Sequence, residues 1–257
     1  MDAYKVRERI RSGQHKKTTS GLANDNVQAN LVVLPKEYAF DFLLYAMRNK
    51  TPIPIIEVLE DGKFNSRYAK DSDIRTDIPF YNIYKNGELV DTVEDVKEIW
   101  QDDFVSFLIG CSFTFEDALI KANIPLKHIE ENKNVAMFKT NIPTERAGVF
   151  HGNMVVSMRP IKKEFVDQAV EITSQFKDMH GGPVHIGDPS AIGITDIRTP
   201  DYGEAIEVSE DEVPVFWGCG VTPQNAILQA KPPIMISHKP GYMFITDINN
   251  EAFKDSK

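Results

Sequence analysis

Apolar and polar positions alternate along the chain with two periods, and the switches between them mark elements. Residues 2–12 repeat at helical spacing, residues 29–35 form an extended apolar run, and residues 38–48 return to helical spacing. Residues 53–59 read as a covered strand with Glu57 its one charge, and residues 81–90 as a hairpin through Asn86-Gly87. Residues 93–101 predict a helix leading into the strand 104–109. Beyond it, residues 134–140 and 154–158 predict short strands, 163–176 an amphipathic helix, and 183–187 and 213–217 further strands. The pattern predicts a three-layer α/β host domain (residues 1–124 and 205–257) with an inserted, smaller two-layer α+β domain at residues 125–204.

Two of these strands end alike. Ile109-Gly110-Cys111-Ser112-Phe113-Thr114 and Trp217-Gly218-Cys219-Gly220-Val221-Thr222 align without gaps, and the match runs on to Ala122 and Ala230. Each copy reads strand, tight turn, helix, with Thr114 and Thr222 as N-caps and Pro223 opening the second helix. The two copies hold both cysteines of the protein. A thiol at a helix start meets free backbone N–H groups, which can lower its pKa to roughly 3.5–7.5. Cys111 and Cys219 are therefore candidate nucleophiles or acid/base groups, and the competing reading is that they pack two strand ends as small buried residues. The duplication also predicts that the two helix starts share one cavity and bind a carboxylate each, through Ser112, Thr114, Gly220 and Thr222.

Composition narrows the field. With 257 residues, 42% of them hydrophobic, the chain can bury a substantial core, and a net charge of −9 disfavours unassisted binding to nucleic acid or an anionic membrane. The first residues are charged rather than apolar and no run of about eighteen apolar residues occurs, so a cytoplasmic protein with two free thiols is expected. Nucleotide-binding glycine fingerprints and zinc-type spacings are missing, so neither cofactor nor metal is expected.

Other polar residues carry candidate chemistry. The glycine-rich stretch from Met179 to Gly193 holds His180, His185 and Asp188, of which His185 and Asp188 are the favoured bases. His151 and Arg159 flank a predicted strand, the first placed to move a proton and the second to clamp a carboxylate.

In order along the chain, Val27-Gln28-Ala29-Asn30-Leu31, the Gly110-Cys111 segment, Val155-Val156-Ser157-Met158-Arg159-Pro160, Pro183-Val184-His185-Ile186-Gly187-Asp188-Pro189 and the Gly218-Cys219 segment resemble the D-glutamate cyclase family, a hydro-lyase family of bacterial proteins. Lys16-Lys17-Thr18-Thr19-Ser20-Gly21 departs from the Gly-Pro-Thr turn that members of that family tend to show before the first strand. The resemblance implies a two-domain α/β architecture and a lyase converting D-glutamate to 5-oxo-D-proline with loss of water. It assigns no residue a role. Three functions stand open: this cyclase or a related hydro-lyase acting on a small amino or hydroxy acid, a two-thiol racemase or epimerase, and a non-catalytic binder of small carboxylates. The expected partners are a small carboxylate substrate and a second copy in a homo-oligomer.

Overall fold

The structure, a computed structural model, describes residues 2–254. Its elements are α1 (Ala3–Arg11), β1 (Asn26–Pro35), α2 (Lys36–Arg48), β2 (Ile55–Leu59), β3 (Tyr81–Lys85), β4 (Glu88–Val93), β5 (Phe104–Gly110), α3 (Phe113–Lys121) and α4 (Lys127–Glu130). They continue with β6 (Ala136–Pro143), β7 (Asn153–Lys162), α5 (Val166–Ser174), β8 (His185–Ile186), β9 (Glu212–Gly218), α6 (Thr222–Ala230), β10 (Met235–His238) and β11 (Phe244–Asn249). The fold is mixed α/β, as the sequence predicts, and every strand pair in it is antiparallel.

Seven strands form one sheet in the order β2-β5-β1-β10-β3-β4, with β11 pairing the first half of β1. Four form a second sheet in the order β6-β7-β9-β8. The long strand β1 is covered on both sides, which is why nine of its ten residues are buried, the polar Gln28 and Asn30 among them, and why residues 31–34 are apolar without alternation. The β3–β4 hairpin turns through Asn86 and Gly87, both at positive φ, as the Asn-Gly pair demands.

Two expectations are corrected. Residues 93–101 hold only one 3-10 turn, Lys97–Ile99, between β4 and β5, although Val96, Ile99 and Trp100 of the segment pack against the core. The strand before the second Gly-Cys turn, assigned from sequence to the host domain, pairs instead with strands of the predicted insert: β9 hydrogen-bonds β7 and β8, so the two turns leave different sheets.

That division makes the helices cross over. β5 of the larger sheet leads into α3, whose Phe115 and Leu119 pack with Trp217 and Val215 of β9 and Ala169 of α5. β9 of the smaller sheet leads into α6, whose Ala226 and Ile227 pack with Val32, Phe107 and Ile109 of the larger sheet and Phe42 and Tyr45 of α2. Each sheet thus sends a helix into the other's core. Trp217 and Phe115, ring centroids 5.6 Å apart and both fully buried, seal one side. Burying aromatic side chains of this size contributes about 1.5–3 kcal/mol each.

Candidate active site

The crossing brings the two Gly-Cys turns together at the junction of the sheets. Cys111 and Cys219 share one cluster with Phe113, Val135, Met137, Val155, Val221 and Met243, and each keeps 7% of its surface exposed. Both glycines before the thiols lie against residues 51–54. A Cβ at Gly110 would stand 3.1 Å from Pro54 Cγ and 2.5 Å from Met179 Sδ, and one at Gly218 would stand 3.3 Å from Thr51. The repeat seen in the sequence is therefore a repeat in space.

Backbone bonds draw both turns alike. Thr114 N–H donates to the Cys111 carbonyl at 3.0 Å, and Thr222 N–H to the Cys219 carbonyl at 2.9 Å. The helices begin at Phe113 and Thr222, so neither Thr114 nor Thr222 is an N-cap and Pro223 is second in its helix. Thr222 Oγ1 instead pairs with the backbone of Val155, at 2.9 and 3.2 Å, while Thr114 Oγ1 is buried without a partner. The N–H groups of Ser112 and Gly220 make no hydrogen bond among the described residues.

The thiols are not acidified. Burial raises the Cys111 pKa well above its ordinary value and pushes Cys219 up to about 11, outweighing the backbone N–H groups of Phe113 and Val221 and the charge of Arg159 that pull the other way. The proximity of Cys219 raises Cys111 further. Depressed thiol pKa values were the expectation; desolvation decides otherwise, and both sulfurs are held as neutral thiols.

Arg159, expected to clamp a substrate carboxylate, is already engaged. Wholly buried in β7, its Nε donates to Glu116 Oε1 at 2.9 Å and Nη2 reaches the same oxygen, while Nη1 and Nη2 donate to the hydroxyls of Ser157 and Ser112 at 3.0 Å each. His128 Nε2 lies 3.1 Å from the same carboxylate oxygen. Burial alone would raise the Glu116 pKa, yet Arg159 and His128 outweigh it and hold the group below the ordinary carboxylate range. This buried charge network fixes Ser112, the residue after Cys111.

Two further residues tie the turns together. Asn30 Nδ2 donates to the carbonyls of Ile109 at 3.3 Å and Gly110 at 2.7 Å, and its carboxamide lies over Gly220, where a Cβ would come within 2.1 Å of Nδ2. His180, at φ 77°, sets Nδ1 2.8 Å from the Thr51 carbonyl and Nε2 2.9 Å from the Gly110 carbonyl. Burial lowers its pKa to about 4, against both carbonyls, so the ring is neutral and donates to one of them at a time. Gln224, the counterpart of Glu116 in the repeat, donates to the His238 carbonyl at 3.1 Å and buries its Oε1 unpartnered. Tyr202 closes the cluster, its pKa raised to about 12 by burial first and by Tyr84, Asp201 and Cys219 after it.

The favoured bases stand apart from this constellation. His185 pairs with Phe216 on the sheet edge and its Nε2 lies 2.7 Å from the Asp188 carbonyl. Asp188 is exposed and caps the following 3-10 turn, accepting from Ser190 N at 3.0 Å and Oγ at 2.7 Å, bonds that lower its pKa. His151 is exposed in the loop before β7. Ser112, Gly220, Thr114, Thr222 and Arg159 do gather around the two thiols. Asn30, Glu116 and His128 are the residues sequence reasoning missed, and His180, named with His185 and Asp188, was passed over in their favour. The one-dimensional signal of Asn30 is a polar side chain in an otherwise apolar stretch, which it shares with ordinary core residues, whereas Glu116, next to Asp117, reads as a solvated helix start.

The carboxylate cavity expected at the thiols does not coincide with any of five clefts among the described residues, none of which is lined by Cys111 or Cys219. Clefts of about 790 Å3 along α1 and about 900 Å3 behind β3 and β4 are lined by none of these residues. A crevice of about 10 Å3, room for a single water, reaches Phe113 and Glu116 from the segment Gly21 to Gln28. Among the described residues no group of three or more His, Cys, Asp or Glu is placed to hold a metal ion.

Two buried neutral thiols in one cluster, each in a turn that opens a helix, mark the candidate site of this mixed α/β fold. The chain belongs to the D-glutamate cyclase family, whose model matches residues 105–247 and so contains both Gly-Cys turns. A relative from Corynebacterium urealyticum is 56% identical over 92% of this chain and 90% of its own; one from Oceanobacillus iheyensis is 57% identical over 96% and 98%. A third, from Staphylococcus carnosus, is 51% identical over 99% and 98%, and all three bear the name "Putative hydro-lyase". Among solved structures, a nitrogen repressor-like protein from Methanococcus jannaschii aligns over 91% of both chains at 13% identity and a TM-score of 0.40, a likeness that carries no argument. The protein is thus a carbon–oxygen lyase of the hydro-lyase class. No helix among the described residues is long and apolar enough to cross a membrane.

Proposed function

We propose that the protein cyclises D-glutamate to 5-oxo-D-proline with release of one water. The observation that carries this reading is the meeting of two Gly-Cys turns, each with an unengaged N–H beside a neutral thiol. Ring closure forms a bond between the α-nitrogen and the γ-carboxyl carbon and breaks one carbon–oxygen bond. The nitrogen must shed protons and the departing oxygen must gain them, so the step needs a donor and a relay rather than a strong nucleophile.

Burial keeps the Cys219 thiol protonated, so it carries a proton to give to the departing hydroxide. The Ser112 and Gly220 N–H groups are placed at the helix starts, where a negative oxygen is stabilised, an effect typically worth about 3–4 kcal/mol per donor. Asn30 and the Arg159–Glu116 network hold this geometry without touching the reacting atoms. Binding of the folded-back substrate converts the cyclisation into an oriented intramolecular reaction.

The pairing of two thiols also raises a second reading, in which one, as thiolate, removes the α-proton of an amino acid and the other returns a proton from the opposite face; the burial that keeps both sulfurs protonated counts against it. The deciding experiment is incubation of the protein with D- and L-glutamate in heavy water, followed by detection of 5-oxoproline and of deuterium at Cα. Product from D-glutamate without Cα deuterium supports cyclisation. Deuterated, racemised glutamate without 5-oxoproline sinks it in favour of the racemase, and ligand-induced thermal stabilisation without any product points to a binder.

A further inference from the structure

One apolar surface in the protein has no role in the thiol site. On α2, Phe40, Leu43 and Met47 are 74%, 37% and 54% exposed, and their spacing of three and four places them on a single stripe. The opposite face of the helix, with Phe42, Tyr45 and Ala46, is buried in the core, so the stripe is not a by-product of a frayed element. Phe40 is the most exposed large hydrophobic residue among those described.

The stripe is polarised along its length. Phe40 projects near its start, whereas at its end Met47, with Lys50, Ile55, Tyr68, Lys177 and Asp178, lines a groove of about 320 Å3 in which bases outnumber the acid two to one. Knob and groove sit on the same helix about two turns apart, close to 10 Å at 1.5 Å per residue. Charge follows the same polarity. Lys36 is engaged by Asp61 at 3.1 Å and Arg48 by Glu145 at 3.6 Å, but Glu37 before the knob and Lys50 beside the groove have no ion-pair partner among the described residues.

We propose that α2 is the contact face of a twofold dimer, its occupant a second copy of this chain. A surface that carries a projection and an acid at one end, and a recess and a base at the other, is complementary to itself turned through a half rotation. Set antiparallel about Leu43, Phe40 of each copy enters the groove beside Met47 of the other, and Glu37 faces Lys50 of the other. Both ends are satisfied twice. No other partner would be required to match this polarity.

Sedimentation equilibrium of the full chain, over a range from roughly micromolar to 100 μM, tests the assignment. Wild type is expected to dimerise with concentration. Phe40→Glu is expected to weaken the dimer by at least about tenfold, because truncating or charging a central anchor removes most of an interface's strength. Phe40 adds little to the monomer's own core, and near-UV circular dichroism checks that the variant is folded. Glu37→Lys alone should also weaken the dimer by placing like charges opposite each other, and the double variant Glu37→Lys with Lys50→Glu should restore it. A wild type that stays monomeric, a dimer that Phe40→Glu leaves intact, or a double reversal that fails to restore association each overturns the proposal.

Discussion

The carboxamide of Asn30 donates to the Gly110 carbonyl at 2.7 Å while lying across Gly220, so one side chain from β1 spans the turns that carry both thiols. Gly220 is glycine because a Cβ there would come within 2.1 Å of Asn30 Nδ2 and 2.4 Å of its Cγ. Gly220→Ala is expected to push the turns apart. A displacement near 1 Å costs roughly 100-fold in turnover of a positioned reaction. Shrinking the obstacle should relieve the clash, so the double variant Asn30→Ala, Gly220→Ala is expected to lose less than the two single losses multiplied. Turnover measured on all four proteins would expose independent, multiplicative losses, which contradict the spanning role.

Arg159 and Glu116 are both almost wholly buried, and removing one of such a pair strands the other charge out of water. Arg159→Leu is expected to destabilise the fold by about 3–5 kcal/mol. Replacing both, with leucine at each position, is expected to recover a large part of that loss. Urea titrations of the single and double variants check this, and equal losses in both would mean that the pair's charge is not what matters.

Proton transfer by the thiols predicts that Cys111→Ser and Cys219→Ser each lower turnover by roughly 100- to 10,000-fold. Two variants of wild-type activity would leave the sulfurs as packing residues only. Stability adds a second readout. In the unfolded chain Cys219 ionises near its ordinary value of 9.0, but the folded site holds it protonated up to about 11. The folded state therefore binds more protons in that window, and the stabilisation present below pH 9 is lost as pH rises toward 11. Cys219→Ser, which does not titrate there, should show a shallower alkaline decline in unfolding free energy.

The acid side runs the other way. His180 and His238 are buried and neutral, each lowered from 6.5 to about 4 chiefly by burial. The unfolded chain binds more protons between those values, so stability is complete above pH 6.5 and falls as pH drops toward 4, by about 1.4 kcal/mol per pH unit for each proton. Asparagine tolerates the positive φ of His180. His180→Asn is expected to cut the acid slope by about one proton, and an unchanged slope in denaturant titrations from pH 7 to 4.5 would place the titration elsewhere.

Much of the chain was legible in one dimension because its elements depend on local signals. The apolar second half of β1, the helical spacing of α2 and the Asn86-Gly87 turn each imposed one conformation on a short segment. The Gly-Cys repeat was legible for the same reason: a strand ending at a glycine and a helix starting just after it are set by neighbours within a dozen residues.

What lay beyond the sequence were the choices between distant partners. Nothing within reach of Arg159 along the chain says that it will meet Glu116, 43 positions away, rather than a substrate, and His185 carries the same local marks of reactivity as His180, 5 residues earlier. Only the crossing of α3 and α6 between two sheets decided that the thiols meet, that Asn30 joins their turns, and that desolvation outweighs the helix starts. Local propensity is written in sequence neighbours; burial and electrostatic environment belong to chain segments that become neighbours only on folding, and they set which of many competent side chains has chemistry to perform.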